Sequence, residues 1–417
     1  MSRPTPSRSS VVFLLVSLTA LTASAQDFWI QTSGPLNSHV LTLATNASGH
    51  VFAGLEGNGI YRSTDRGATW VLTTSGLTNT FIYSIAASPN GYLFCGTSGG
   101  GMFRSTDNGE NWSQANMGMT NGYAFSIGFG QNEQMFTGTL GAGTYRSTDN
   151  GNTWTPSSNG LTHTFIYSLT TTPNGFLFAG TDGGGVYRST DYGASWEQVN
   201  NGLSSPRVYS LASNIHGDVF AGTLGGGLFR STNDGLQWER TALGPLNPYV
   251  YTVAMRGTTE IFAGTPTSGV YRSTDDGDSW TQVNSGLTNL CVNTLTVSPD
   301  GYLYVGTEGS GVFRSIQTIT SVGSATLTFP MEIHLEQNYP NPFNPTTTIS
   351  YRLSANSFVS LKVFDVLGRE IATLINDMKS AGSHSVEWNA AEFPSGTYFY
   401  RIESERYVEQ RKLLLIK

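Results

Sequence analysis

Tyr61-Arg62-Ser63-Thr64-Asp65-Arg66-Gly67-Ala68-Thr69-Trp70 decides the architecture, because the chain repeats it at a fixed interval. The opening of this stretch, an aromatic residue followed by Arg-Ser, starts at Tyr61, Phe103, Tyr145, Tyr187, Phe229, Tyr271 and Phe313. Every step is 42 residues. Its closing tryptophan recurs in phase at Trp70, Trp112, Trp154, Trp196, Trp238 and Trp280, and Trp29 precedes the first of these by 41. Of the eight tryptophans, only Trp388 falls outside the register. A constant period of this length marks an array of units, none of which buries its apolar faces alone.

One period reads as four short strands. In the second repeat Phe81 to Ala87 is the first, turned by Ser88-Pro89-Asn90-Gly91, and Tyr92 to Gly96 is the second. A glycine turn, Ser98 to Gly101, leads to a third strand, Met102 to Thr106, and Trp112 to Gln114 opens a fourth. Four strands in about 42 residues is the unit of a β-propeller blade. The seventh unit ends at Phe313-Arg314-Ser315 without a tryptophan strand, whereas the chain begins with a lone one at Trp29. The seventh blade is therefore expected to borrow its outer strand from the residues around Trp29, which closes the ring and removes its open edges. The expectation is an all-β chain with a seven-bladed propeller over residues 26–317.

The stretch Ser63, Asp65, Gly67, Trp70 and its equivalents beginning at Ser105, Ser147, Ser189, Ser231 and Ser273 resemble the Asp-box, or bacterial neuraminidase, repeat. The boxes carry Asp107 and Trp112, Asp149 and Trp154, Asp191 and Trp196, Asn233 and Trp238, and Asp275 and Trp280; the seventh repeat has lost the box. The chemistry of the motif is structural. Serine and aspartate oxygens accept hydrogen bonds from turn amides, glycine takes a backbone conformation other residues resist, and tryptophan seals the gap between strands. One carboxylate per turn is too few for calcium, which takes six to eight oxygens.

Asp-box propellers include sialidases, xyloglucan-cleaving glycosidases, sortilin-type receptors and photosystem assembly factors, so the fold leaves function open. A sialidase needs three clustered arginines. Here Arg62, Arg104, Arg146, Arg188, Arg230, Arg272 and Arg314 are one position repeated around the ring, which points to pairing between blades. Only Arg207 falls in a loop entering an innermost strand, and one arginine is not a triad. A two-carboxylate glycosidase needs paired acids. The turn between second and third strands varies as Glu56, Ser98, Leu140, Asp182, Leu224, Pro266 and Glu308. Glu56 and Glu308, with Asp182 across the ring, are the weak catalytic candidates; the competing reading makes them solvated turn residues. The entry positions His39, Phe81, Tyr123, Phe165, Arg207, Tyr249 and Cys291 flank a shallow funnel and are candidates to hold a sugar or a peptide, against packing between blades. The next position inward, Tyr83, Phe125, Tyr167, Tyr209 and Tyr251, reads as core. Blades of constant length leave no long loop to carry chemistry.

Composition narrows the classes. The formal charge is −7 and all four lysines, Lys362, Lys379, Lys412 and Lys417, lie in the last sixty residues, so the repeat region has no basic surface for nucleic acid. Cys95 and Cys291 are too few for a disulfide scaffold or a cysteine zinc site, and occupy different repeat positions. His39, His50, His163, His216, His334 and His384 show no metal spacing, and no metal or other cofactor is expected. Arg3 and Arg8, the apolar run Val11 to Leu21 and Ala23-Ser24-Ala25 have the form of a secretory signal over residues 1–25. The run is half of the about 20 residues that span a membrane, and no later segment qualifies.

After a threonine- and serine-rich linker, residues 318–330, the 42-residue echo is gone. The stretch Asn338 to Ile349, which opens Asn338-Tyr339-Pro340-Asn341-Pro342-Phe343, reads as an edge segment entering a sheet, since prolines deny ladder hydrogen bonds. Alternating runs at Val359–Phe364, Glu370–Leu374, His384–Trp388, Tyr398–Ile402 and Arg411–Ile416 predict a small β-sandwich over residues 331–417. This module resembles the type A C-terminal sorting domain of the type IX secretion system, a resemblance that implies an Ig-like fold. The resemblance rests on Asn338, Pro340 and Pro342, on Phe364-Asp365-Val366-Leu367-Gly368, on Pro394-Ser395-Gly396-Thr397-Tyr398, and on the ending Lys412 to Lys417. It implies export to the periplasm, passage through the outer-membrane translocon of a Gram-negative bacterium of the Bacteroidota kind, and release or surface attachment. The function expected is a non-catalytic binding or adhesion module for an extracellular glycan or protein; the alternative is a glycoside hydrolase, sialidase- or xyloglucanase-like.

Overall fold

The computed structural model describes residues 27–130, 134–243, 247–256, 260–316, 333–335, 337–353, 357–366, 368–379, 382–404 and 407–417. The expected signal segment and the linker 318–330 lie outside the described residues. The chain divides into two compact units, one of Met1–Ser298 with Tyr302–Thr318 and one of Ile319–Lys417 with Pro299–Gly301.

The first unit holds seven antiparallel four-stranded sheets. Blade 2 is typical, running outward from the axis as Ile82–Ala87, Leu93–Thr97, Met102–Ser105 and Ser113–Gln114. Blade 7 is made from two ends of the chain. Its strands Val292–Val297, Leu303–Thr307 and Gly311–Ser315 take Trp29–Gln31 as the outermost member, with Trp29 opposite Ser315 and Gln31 opposite Phe313. The closure expected from the tryptophan register is thus present.

Between third and fourth strands, the Asp-box is a closed hydrogen-bond knot. The Ser63 hydroxyl donates to Asp65 Oδ1 at 2.8 Å and accepts the Gly67 amide at 2.7 Å. Asp65 Oδ1 accepts the Thr69 amide at 2.8 Å while Oδ2 takes the Thr69 hydroxyl at 2.6 Å. The turn needs two consecutive left-handed residues, Arg66 at φ 60° and Gly67 at φ 86°. Asparagine or aspartate, which tolerate that region, fill the first of these at Asn108, Asn150, Asp234 and Asp276.

Five of the six knots are fastened to the blade before by an arginine, the blade 4 knot at Tyr192 being the exception among the described residues. The carbonyl of the first left-handed residue accepts a guanidinium from the preceding blade: Arg62 to Asn108 at 2.7 Å, Arg104 to Asn150 at 2.8 Å and Arg188 to Asp234 at 2.7 Å. Arg230 and Arg314 do the same to Asp276 and Arg66, while Arg272 turns to Glu260. The tryptophan acts across the same gap, which corrects its expected role between strands. The indole nitrogens of Trp112, Trp154, Trp196 and Trp238 donate to Thr73, Ala115, Ser157 and Val199, each in the blade before. Trp29 reaches Val283 at 2.6 Å in the same way. Trp280 instead bonds Gly277 within its own box, and the Trp70 indole nitrogen is buried without a partner.

The core lies between adjacent blades; Phe52, Ile60, Ile82, Ile85, Phe103 and Trp112 form one such cluster. A glycine in each second strand sets the spacing. A Cβ on Gly96 would stand 2.3 Å from the Ala124 carbonyl oxygen of the next innermost strand, so nothing larger fits.

The second unit packs a three-stranded sheet (Ile333–Leu335, Thr346–Leu353, Gly382–Asn389) and a four-stranded one (Glu370–Lys379, Ser357–Phe364, Gly396–Ser404, Tyr407–Leu415) around Trp388, Tyr400, Leu361 and Ile349. The edge expected at Asn338–Ile349 needs correction. The prolines precede the ladder, and Thr346–Leu353 is the central strand of its sheet, paired on both sides. Asn338 is buried; its amide nitrogen donates to the Thr347 hydroxyl at 2.8 Å and to the Pro340 carbonyl at 3.0 Å. Asp365 closes the turn at Gly368 by accepting the Arg369 amide and guanidinium. Lys417 donates to the Ala391 carbonyl at 2.6 Å.

Candidate ligand-binding site at the ring axis

The innermost strands converge on a central well of about 350 Å³. Its wall is built by a repeated irregularity. In blades 1 to 5 and 7 the first two strands shift register by one residue, at Leu41, Tyr83, Phe125, Tyr167, Tyr209 and Asn293. A bulge of this kind turns one side chain out of the alternating pattern. The bulged Tyr83, Phe125, Tyr167 and Tyr209 therefore line the well, joined by Tyr251 just ahead of the unbulged first strand of blade 6; all five are only partly buried, which corrects their reading as core. Their ring centroids follow one another at 4.9, 5.3, 5.0 and 5.2 Å, tilted by 37–54°, a continuous aromatic collar over five blades. Burial, then the neighbouring tyrosines, pushes the Tyr209 phenol up to about 12. The collar is interrupted by Leu41 and Asn293, where blades 1 and 7 meet.

The entry positions ring the mouth. Tyr123, Phe165 and Tyr249 are each nearly half exposed, so they are not packing residues between blades. An asparagine two residues before the entry residue fixes several of them: Asn79, Asn121 and Asn289 each accept the entry amide and donate to the carbonyl of the turn between second and third strands. Entry residue and turn residue are thereby held side by side. The asparagine recurs in the 42-residue register at Asn37, Asn79, Asn121, Asn247 and Asn289, a signal in the sequence whose purpose the hydrogen bonding reveals.

The charged candidates are brought to the same mouth but not as a free acid pair. Arg207 Nε donates to Asp182 Oδ1 at 2.7 Å across two blades. His39 Nδ1 lies 3.0 Å from Glu56 Oε2, and the Cys291 thiol donates to Glu308 Oε2 at 2.9 Å. A backbone bridge joins His39 to Glu308, so the seam gathers Cys291, Glu308, His39 and Glu56 in sequence around the rim. Burial, then the hydrogen bond to Glu308, pushes the Cys291 thiol up to about 12; at neutral pH it is a donor, not a nucleophile. Cys95 is buried, and both cysteines are free thiols. Among the described residues no group of three or more His, Cys, Asp or Glu side chains is placed to hold a metal ion. No helix among them is long and apolar enough to cross a membrane.

A family model described as Photosynthesis system II assembly factor YCF48 matches residues 21–310. The chain belongs to this family. A second model, the Secretion system C-terminal sorting domain, matches residues 337–417, so the chain is a type IX-sorted protein, secreted or displayed at the cell surface. No curated protein sequence matches it. Among solved structures, one described as YCF48 bound to D1 peptide is 20% identical, covers 71% of this chain and 99% of its own, and has a TM-score of 0.58. PorZ of Porphyromonas gingivalis, described as an essential bacterial surface component of the type-IX secretion system, is 19% identical with a TM-score of 0.55; the match covers 94% of this chain and 61% of PorZ. A GH74 enzyme of Niastella koreensis is 21% identical over 69% of this chain and 44% of its own, with a TM-score of 0.53. At these identities the likeness is one of fold.

Proposed function

We propose that the chain is a non-catalytic binding module that presents the mouth of its axial well to an extracellular glycan or protein. The C-terminal domain carries it through the outer membrane of a Gram-negative bacterium, to be released or attached there. The domain division offered with this reading is a signal over 1–25, the ring over 26–317, a linker over 318–330 and the sorting domain over 331–417. The observation that supports binding most directly is the exposed aromatic rim, Tyr123, Phe165 and Tyr249, above a collar-lined well with no long loop over it. Exposed aromatic groups around a concave, mostly apolar pocket are the usual form of a ligand site. Glu56 suits hydrolysis poorly, because a general acid is held protonated by an apolar pocket and this side chain is 47% exposed and paired with His39. The test is binding of the purified chain to glycan arrays and intact cells, beside a Tyr123→Ala/Phe165→Ala/Tyr249→Ala variant. The variant is expected to lose at least about tenfold in affinity, as truncation of aromatic anchors does. Equal binding by the two proteins refutes the funnel as the site.

A further inference from the structure

The well is chemically lopsided, and we infer that it takes a cation: the ammonium or guanidinium of a lysine or arginine side chain on a partner peptide or protein. This rests on the funnel being the binding site and adds the class of group bound there. On five blades the wall is aromatic, and four of the five rings are tyrosines. Successive rings are tilted to one another, so they form a cup instead of the flat platform on which a sugar ring stacks. A cup of electron-rich rings is how proteins hold ammonium groups, the ring quadrupole presenting its negative face to the charge.

The seam completes the site from the opposite side. There the collar gives way to Leu41 and Asn293, and two carboxylates stand at the rim, Glu56 lining the well itself. Glu56 is paired with His39, and Glu308 accepts a neutral thiol. No lysine or arginine among the described residues is paired with either carboxylate. The other rim acid, Asp182, is offset by Arg207. The seam side of the mouth therefore gathers two carboxylates without a lysine or arginine partner, facing an aromatic wall. The hydroxyls of Ser84 and Ser126, in residues that line the well, are buried and have no partner, unlike Ser168 and Ser210, which accept amides of the next blade. Both hydroxyls face the second-strand glycines Gly96 and Gly138 and are closed off from the well, so they take no part in the site. The well, about 350 Å³, has room for a long side chain.

The experiment uses the purified chain and acetylated, amidated Gly-X-Gly tripeptides, with X lysine, arginine, trimethyllysine or norleucine, read by calorimetric or NMR titration. The cationic probes are expected to bind at least about tenfold more tightly than the norleucine probe, the scale of a desolvated cation–π contact. A Glu56→Gln/Glu308→Gln variant is expected to lose most of that preference, read as the ratio of lysine to norleucine affinity in the same protein. A Tyr83→Leu variant weakens the cationic probes while the unfolding midpoint reports its fold. Norleucine binding as tight as lysine, or full lysine affinity in the double glutamine variant, overturns the inference. So does binding of glucosamine oligomers in place of the peptides. If an array ligand is bound and lost with the Tyr123, Phe165 and Tyr249 substitutions while no cationic probe binds, the funnel stands and the cation falls. If neither binds, both fall.

Discussion

Asp107 accepts the Asn111 amide at 2.9 Å through Oδ1 and the Asn111 side chain at 2.9 Å through Oδ2, and takes the Ser105 hydroxyl at 2.7 Å. These bonds, the Asn111 amide foremost, hold its carboxyl down to about 2, against an ordinary value of 3.8. Asp65, Asp149, Asp191 and Asp275 are lowered in the same direction. A carboxylate that releases its proton more readily when folded adds stability above the unfolded value, and that stability is lost as pH falls through the folded one. The ring is therefore expected to keep its unfolding midpoint from neutral pH down to about 5 and to lose it steeply between about 4 and 2. Asn233 shows what an amide can keep: its Oδ1 still accepts the Gln237 amide at 2.9 Å. Asp107→Asn should accordingly cost only about 1 kcal/mol at pH 7, one charge-assisted hydrogen bond weakened. The difference from wild type should shrink to a small remainder by about pH 2, where the native carboxylate is half protonated. Urea unfolding of both proteins at pH 7 and pH 2 measures this; a difference independent of pH would show that the carboxylate charge is not what the knot uses.

At the level of strands, the 42-residue register made the blade count, the box positions and the borrowed strand legible, because each depends on residues that recur in phase. The collar was not legible. An alternating strand places Tyr83 opposite in sense to Ile82 and Ser84, which suits either a neighbouring blade or the axis, and the bulge that chooses the axis leaves no mark in residue type. The entry residues could be located but not their partners, since Arg207 meets Asp182 of the previous blade only after the ring has closed. The tryptophan was read as a seal within its own blade for the same reason: its acceptor lies 39 residues earlier, in a separate sheet. The borrowed strand is the most exposed of these inferences to experiment. Trp29 is 1% exposed, donates to Val283 and pairs with Ser315, so one residue ties the borrowed strand to the rest of blade 7 and to blade 6. Trp29→Ala is expected to cost about 3–5 kcal/mol, the usual range for emptying a buried tryptophan site. Hydrogen exchange should localise the loss to the amides of Gly311–Ser315 at native conditions. If protection there is unchanged, the N-terminal strand does not hold the seam.

For the molecule as a whole, sorting and binding reside in separate cores. The ring closes on its own N-terminal strand and packs its apolar residues between blades. The sorting domain buries Trp388, Tyr400 and Leu361 within its own two sheets. Each list of buried residues is drawn from within one unit, so each unit has a hydrophobic core of its own. A secreted protein whose address is a detachable domain can lose that domain without losing its cargo. Removing residues 337–417 is thus expected to leave the ring folded, with its unfolding midpoint within about 4 °C of the full chain, a shift worth less than about 2 kcal/mol for a unit of this size. In a bacterium that possesses the type IX system, the truncated chain should stop in the periplasm while the full chain reaches the surface or the medium. Cell fractionation with an antibody to the ring separates these outcomes. Truncated protein that is degraded would point to a ring unable to stand without its C-terminal partner. Truncated protein outside the cell would place the export signal elsewhere in the chain, and either result would break the division of labour argued from the two cores.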